Sequence, residues 1–124
     1  MKLRRLREED VLDGAITLVR GGELEPDVLR ADALRYYGIY GSYGISVFAA
    51  RDATVDELAQ QVPLVRFARL TLLTVAGVHE AGLRLEPTGR NPRHYTVAFD
   101  DLEPGIAALA ASAHQTVPNA YHDA

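Results

Sequence analysis

LRLEPTGRNPRHYTVAF, residues Leu83–Phe99, divides into two alternating apolar–polar runs around a turn rich in Gly, Asn and Pro. Period-two alternation over 83–86 and 94–99 predicts a β-hairpin. Leu83 and Leu85 then share one face with Tyr95, Val97 and Phe99, which makes that face the core side. The opposite face gathers Arg84, Glu86, His94 and Thr96 below a tip carrying Arg90, Asn91 and Arg93. A carboxylate, an imidazole and up to three guanidiniums on one side point to anion handling or acid–base chemistry. Across the ladder Glu86 or Arg84 is expected beside His94, where a glutamate would orient the imidazole and raise its pKa.

Upstream, Ala15–Val19 reads as a compact strand with Ile16 and Leu18 on one face, running into Arg20-Gly21-Gly22. Parity extends that row to Arg20, whose head is expected to leave the strand end on the covered side. Pro26 opens a helix predicted to reach Tyr37, with Leu29, Ala33, Tyr36 and Tyr40 at spacings of 4, 3 and 4. Gly38–Gly44 reads as a loop of sharp turns. Ile45–Ala50 is a near-continuous apolar strand, which implies burial on both faces. Thr54-Val55-Asp56-Glu57 matches a capping box at the head of a short helix that Pro63 ends. Leu64–Val75, rich in Leu, Val, Phe and Thr, is predicted to contain a strand, best defined over Leu70–Val75, and Ala76–Gly82 reads as a helical turn or loop. Asp101 is expected to cap a helix over Leu102–Ala111.

Residues 2–13 read as a short polar element, and the tail 112–124 lacks periodicity, for which mobility is the default expectation. With no regular βαβ repeat, the chain is predicted to be one α+β domain over 1–124. It should hold about five mostly antiparallel strands and three or four helices.

The 124 residues are enough for a core without staples, and 48% hydrophobic content fits a globular chain. Cysteine is absent, which excludes disulfides, thiolate zinc sites and a cysteine nucleophile. The four histidines lack ligand spacing, and His79-Glu80 lacks the second histidine of a zinc motif, so no metal site is predicted. No apolar run is long enough to span a bilayer. MKLRRLREED turns acidic where an export signal needs an apolar segment, so cytoplasmic residence and no membrane partner are expected. A net charge of −4 disfavours nucleic acid as a bulk partner. Yet 12 of the 13 basic residues are arginine, clustered at Arg4, Arg5 and Arg7 and again in the hairpin. Arginine suits bidentate contact with phosphate, and GC-rich codon usage gives the same bias.

Three further features carry candidate chemistry. Arg20 at a strand end can hold a phosphate, with glycines letting a ligand approach the backbone, or it can pair with Glu23 or Glu25. Tyr36, Tyr37, Tyr40 and Tyr43 can stack on a nucleobase or nicotinamide, or simply pack. Ser46 is a lone hydroxyl in an apolar strand, and if buried it must find a partner. No Gly-x-Ser-x-Gly elbow surrounds it, and the phosphate-loop and dinucleotide glycine patterns are absent.

The strand Ile16-Thr17-Leu18-Val19-Arg20-Gly21, followed by Gly44-Ile45-Ser46-Val47-Phe48, resembles the arginine and serine strands of ADP-ribosyltransferase-fold proteins, a group that includes small bacterial NAD-consuming toxins. The resemblance implies NAD as substrate. Arg20 would hold its phosphate or ribose, the backbone at Gly21 would face the nicotinamide, Ser46 would support the pocket, and Tyr40 or Tyr43 would stack on the ring. It implies a catalytic glutamate on a later strand, for which Glu86 is the first candidate and Glu80 the second, with His94 orienting Glu86 or the substrate. The usual Ser-Thr-Ser run is Ile45-Ser46-Val47 here, and Arg84 stands where transferases often place Gln or Glu.

The segment from Glu80-Ala81-Gly82-Leu83 to His94-Tyr95-Thr96-Val97 resembles the helix-to-hairpin part of messenger-RNA-cleaving toxins of the HicA type. There His94 would be the general acid or base, and Arg90 and Arg93 would hold phosphate. A third reading is a protein-interaction module, with hairpin and tail docking a partner such as an antitoxin or target.

Overall fold

A computed structural model describes residues 12–122. The polar element read over 2–13, and the arginines at its start, lie outside these residues but for its last two positions.

The described residues form one antiparallel sheet of six strands with four helices. In chain order these are β1 (Thr17–Gly21), α1 (Pro26–Tyr40), β2 (Tyr43–Ala50), α2 (Val55–Ala59), β3 (Arg69–Thr74), α3 (Val75–Glu80), β4 (Arg84–Pro87), β5 (His94–Phe99), α4 (Leu102–Ala111) and β6 (Gln115–Pro118). A short 3-10 helix, Leu64–Arg66, precedes β3. The strand order across the sheet is β4-β5-β2-β1-β3-β6. The α+β expectation therefore holds, with one strand more than expected.

Period two sorts the sheet into two faces. Leu18, Ile45, Val47, Ala49, Leu73, Tyr95, Val97 and Phe99 pack with Leu29 and Ala33 of α1, Val75 and Val78 of α3, and Ile106 and Leu109 of α4. Each large apolar side chain buried there contributes roughly 1.5–3 kcal/mol. On the reverse face Val19, Phe48 and Leu70 meet Leu58 and Ala59 of α2 and Leu64. Covered on both sides, β2 is apolar along most of its length, as its composition implied.

Several boundaries differ from the sequence reading, each for a local reason. Helix α1 continues through Gly38, which has open space around it. It stops at Gly41, whose φ of 76° is the left-handed conformation that ends a helix. Thr54 and Glu57 make the predicted capping box. Asp101 stands at the N-cap of α4 without a side-chain capping bond.

The aperiodic tail supplies a strand, because β6 is an edge strand pairing only with β3. Asn119 anchors its end. Its amide NH donates to the Ala68 carbonyl, and its Nδ2 donates to the carbonyls of Ala59 and Leu64 at 3.3 and 3.1 Å.

Candidate functional site

Strands β1 and β2 pair at Thr17↔Ala50, Leu18↔Ala49 and Val19↔Phe48, and there the pairing stops. Beyond it β1 continues along β3 as far as Gly21↔Leu70, and β2 continues along β5 as far as Tyr43↔Phe99. The sheet thus opens into a wedge between two central strands. A groove of about 340 Å³ fills the opening, lined by Arg20, Gly21, Tyr36, Tyr40, Ser46 and Phe67 among others.

Arg20 leaves β1 on the α1 side, as its parity implied. It is only 4% exposed. Its Nε donates to the Glu23 carbonyl at 3.1 Å, and its Nη2 donates to Asp32 Oδ2 at 2.7 Å. The pairing carboxylate is therefore Asp32 of α1, and Glu23 contributes its backbone. Nη1 donates to no described residue, which leaves buried N–H groups on the groove wall. Asp32 Oδ1 also accepts from Arg35, an exposed residue that lines the same groove. Two guanidiniums share one carboxylate, so this wall keeps a net positive charge.

Ser46 is exposed, not buried, because the sheet has opened beside it. Its hydroxyl bonds to none of the described residues. Of the two tyrosines expected to stack on a ring, Tyr40 lines the groove, its ring centroid 4.6 Å from that of Tyr36. Tyr43 packs elsewhere, between Tyr37 and Phe99. The space over Gly21 holds the ring of Phe67, which a Cβ at that position would strike. This ring, not an open approach for ligand, accounts for the glycine. Phe67 lay in a stretch read only as apolar, and nothing in its spacing marked it as a groove residue.

The hairpin forms with the predicted faces, but its register separates the acid from the imidazole. Glu86 stands opposite Thr96, and Thr96 opposite Ser46. His94 stands opposite Phe48, whose ring meets the imidazole edge-on at 5.1 Å. Its Nδ1 lies 2.9 Å from Thr88 Oγ1 and 3.0 Å from the Thr88 carbonyl. Thr88 is the residue that sequence reasoning missed: it sits in the turn, with no periodicity to mark it, and is 1% exposed.

Glu86 accepts from Arg84 at 3.3 Å, and Arg84 also pairs with Asp100, which raises its pKa. Arg93 donates to Asp52 at 2.8 Å, and that hydrogen bond holds the carboxyl below its ordinary range. Arg90 and His94 line a second depression of about 260 Å³. Glu80, at the exposed end of α3, lines neither.

No group of acidic or histidine side chains among the described residues could hold a metal ion. No helix among them is long and apolar enough to cross a membrane. No family model, no curated protein and no solved structure matches the chain.

Proposed function

We propose that the wedge between β1 and β2 binds NAD and that the chain consumes it in the manner of an ADP-ribosyltransferase. One observation carries the reading: Arg20 and Ser46, the two strand residues that prompted the resemblance, line the same groove. Its size falls in the ordinary range for small-molecule sites, roughly 300–1,000 Å³.

In this reading Arg20 and Arg35 hold the diphosphate, which needs the positive charge that Asp32 leaves over. Tyr40 and Phe67 flank a ring, and Ser46 hydrogen-bonds the ribose. Glu86 does not line the groove; it lies farther along the row Ser46–Thr96–Glu86, roughly 10 Å from Ser46 at two interstrand spacings, and acts through its field. Its negative charge steadies the ribose as positive charge develops. The bond between ribose C1 and the nicotinamide nitrogen breaks, and its electron pair leaves with neutral nicotinamide. An acceptor oxygen bonds to C1, and when the acceptor is water it releases a proton to solvent.

NAD titration and nicotinamide release on the full chain test this. Arg20→Ala and the exposed Arg35→Gln should each weaken NAD binding roughly tenfold to hundredfold. Glu86→Gln should slow release while binding persists, and Glu103→Gln, outside the wedge lining, should change neither. Absence of both NAD binding and nicotinamide release in the unaltered chain overturns the reading.

The RNA-cleaving alternative has one observation in its favour, the shared depression of Arg90 and His94. RNA cleavage lost in His94→Ala and kept in Arg20→Ala would carry it instead.

A further inference from the structure

Phe48 and Pro63 line both the wedge and the depression beside His94, so the two adjoin. The walls of the second are Val62, Gly89, Arg90 and Asn91. His94 also lines it, and behind His94 runs a buried polar chain: His94, Thr88 and Thr96 are 6%, 1% and 1% exposed. Both polar atoms of Thr88, its hydroxyl at 2.9 Å and its carbonyl at 3.0 Å, contact His94 Nδ1. Thr88 Oγ1 is 2.7 Å from Thr96 Oγ1, which is 3.4 Å from the Tyr36 hydroxyl on the wedge wall. A bonded chain of this kind fixes the imidazole in place.

The lining also includes an exposed arginine, Arg90, whose guanidinium bonds to no described residue. Its neighbours in the hairpin are engaged, Arg84 with Glu86 and Asp100, and Arg93 with Asp52. The same lining holds apolar Phe48, Val62 and Pro63, with Val62 62% exposed. A cation beside apolar lining fits an anion carried on a flat or apolar group.

We propose that this depression is a second ligand site, taking a phosphate monoester on a flat or apolar group, and that it seats the acceptor of the ADP-ribosyl group. The acceptor role rests on the NAD reading; the anion site does not. Among the described residues, the only carboxylate lining either depression is Asp32, which Arg20 and Arg35 already occupy. A hydroxyl acceptor needs a base to take its proton, for which His94 is the one candidate in the lining, whereas a phosphate oxygen needs none. A phosphate monoester, with a second pKa near about 6, is already a dianion at neutral pH. Its oxygen bonds to ribose C1 as the bond to nicotinamide breaks, the electron pair leaves with the neutral base, and no proton moves.

Phenyl phosphate, with phenol as its uncharged counterpart, tests the site on the isotope-labelled full chain. Phenyl phosphate should shift amide resonances around Gly89–His94, with phenol binding at least about tenfold more weakly. Arg90→Gln should weaken phenyl phosphate about tenfold and leave NAD affinity unchanged, and Arg20→Gln should do the reverse. With NAD present, mass spectrometry should find the ADP-ribosyl adduct of phenyl phosphate. Binding indifferent to Arg90→Gln, or equally sensitive to Arg20→Gln, overturns the site. Nicotinamide release without adduct overturns the acceptor role alone. Arg90-dependent binding by a chain that leaves NAD intact overturns the NAD reading and leaves the anion site standing.

Discussion

Arg20 shows how one position combines local and tertiary causes. Alternation along β1 sends it to the α1 side, and α1 brings Asp32 to within 2.7 Å of it. The strand explains the direction, but only the packing of the helix explains the partner. Gly44 is a similar case at the wedge mouth. A Cβ there would lie 2.5 Å from Thr96 Cγ2 and 3.0 Å from the Tyr36 ring. Both neighbours are bonded through their hydroxyls to each other, so neither yields freely. Gly44→Ala should therefore destabilise the fold by about 1–3 kcal/mol, the usual cost of overpacking, measured by chemical denaturation. An unchanged midpoint would mean that Tyr36 moves without cost and that the wedge wall is soft.

At the scale of elements, helices α1 and α4 are clamped on their outer faces by Arg30, which donates to both oxygens of Glu103. That contact lowers the Glu103 pKa, and the Arg30 pKa is raised chiefly by the same bond. A depressed carboxyl pKa stabilises the fold above the ordinary glutamate range, and the effect is lost as pH falls through the folded value. Glu103→Gln should accordingly lower Tm slightly at neutral pH, and the two proteins should converge in acid. The pair is exposed, so salt should narrow the neutral-pH gap as well. Calorimetry across pH checks both, and a gap that widened in acid would contradict the assignment. The hairpin belongs to this scale too. Its faces were legible because alternation has a strict period, but its register was not. The turn residues Thr88–Arg93 set which residues stand opposite, and so His94 meets Thr88 and Phe48 instead of Glu86.

For the whole molecule, the strand order separates sequence neighbours. β1 lies between β2 and β3, and β2 pairs with β5 across five intervening elements (α2, the 3-10 helix, β3, α3 and β4) and their loops. Closing such non-local pairs costs chain entropy before the core repays it. Refolding from denaturant should have a main phase of milliseconds or slower by stopped-flow fluorescence, and a microsecond main phase would contradict this topology as the rate-setting feature.

Periodicity and turn chemistry were enough to read the α+β class, the alternation of the hairpin, the capping box of α2, the double burial of β2 and the side from which Arg20 leaves its strand. All of these depend on residues near in sequence. The end of pairing at Val19↔Phe48, the exposure of Ser46, the covering of Gly21 by Phe67, the engagement of Arg93 by Asp52 and the strand made by the tail came only with the tertiary structure. Each depends on where a distant segment packs, and local period carries no information about that distance.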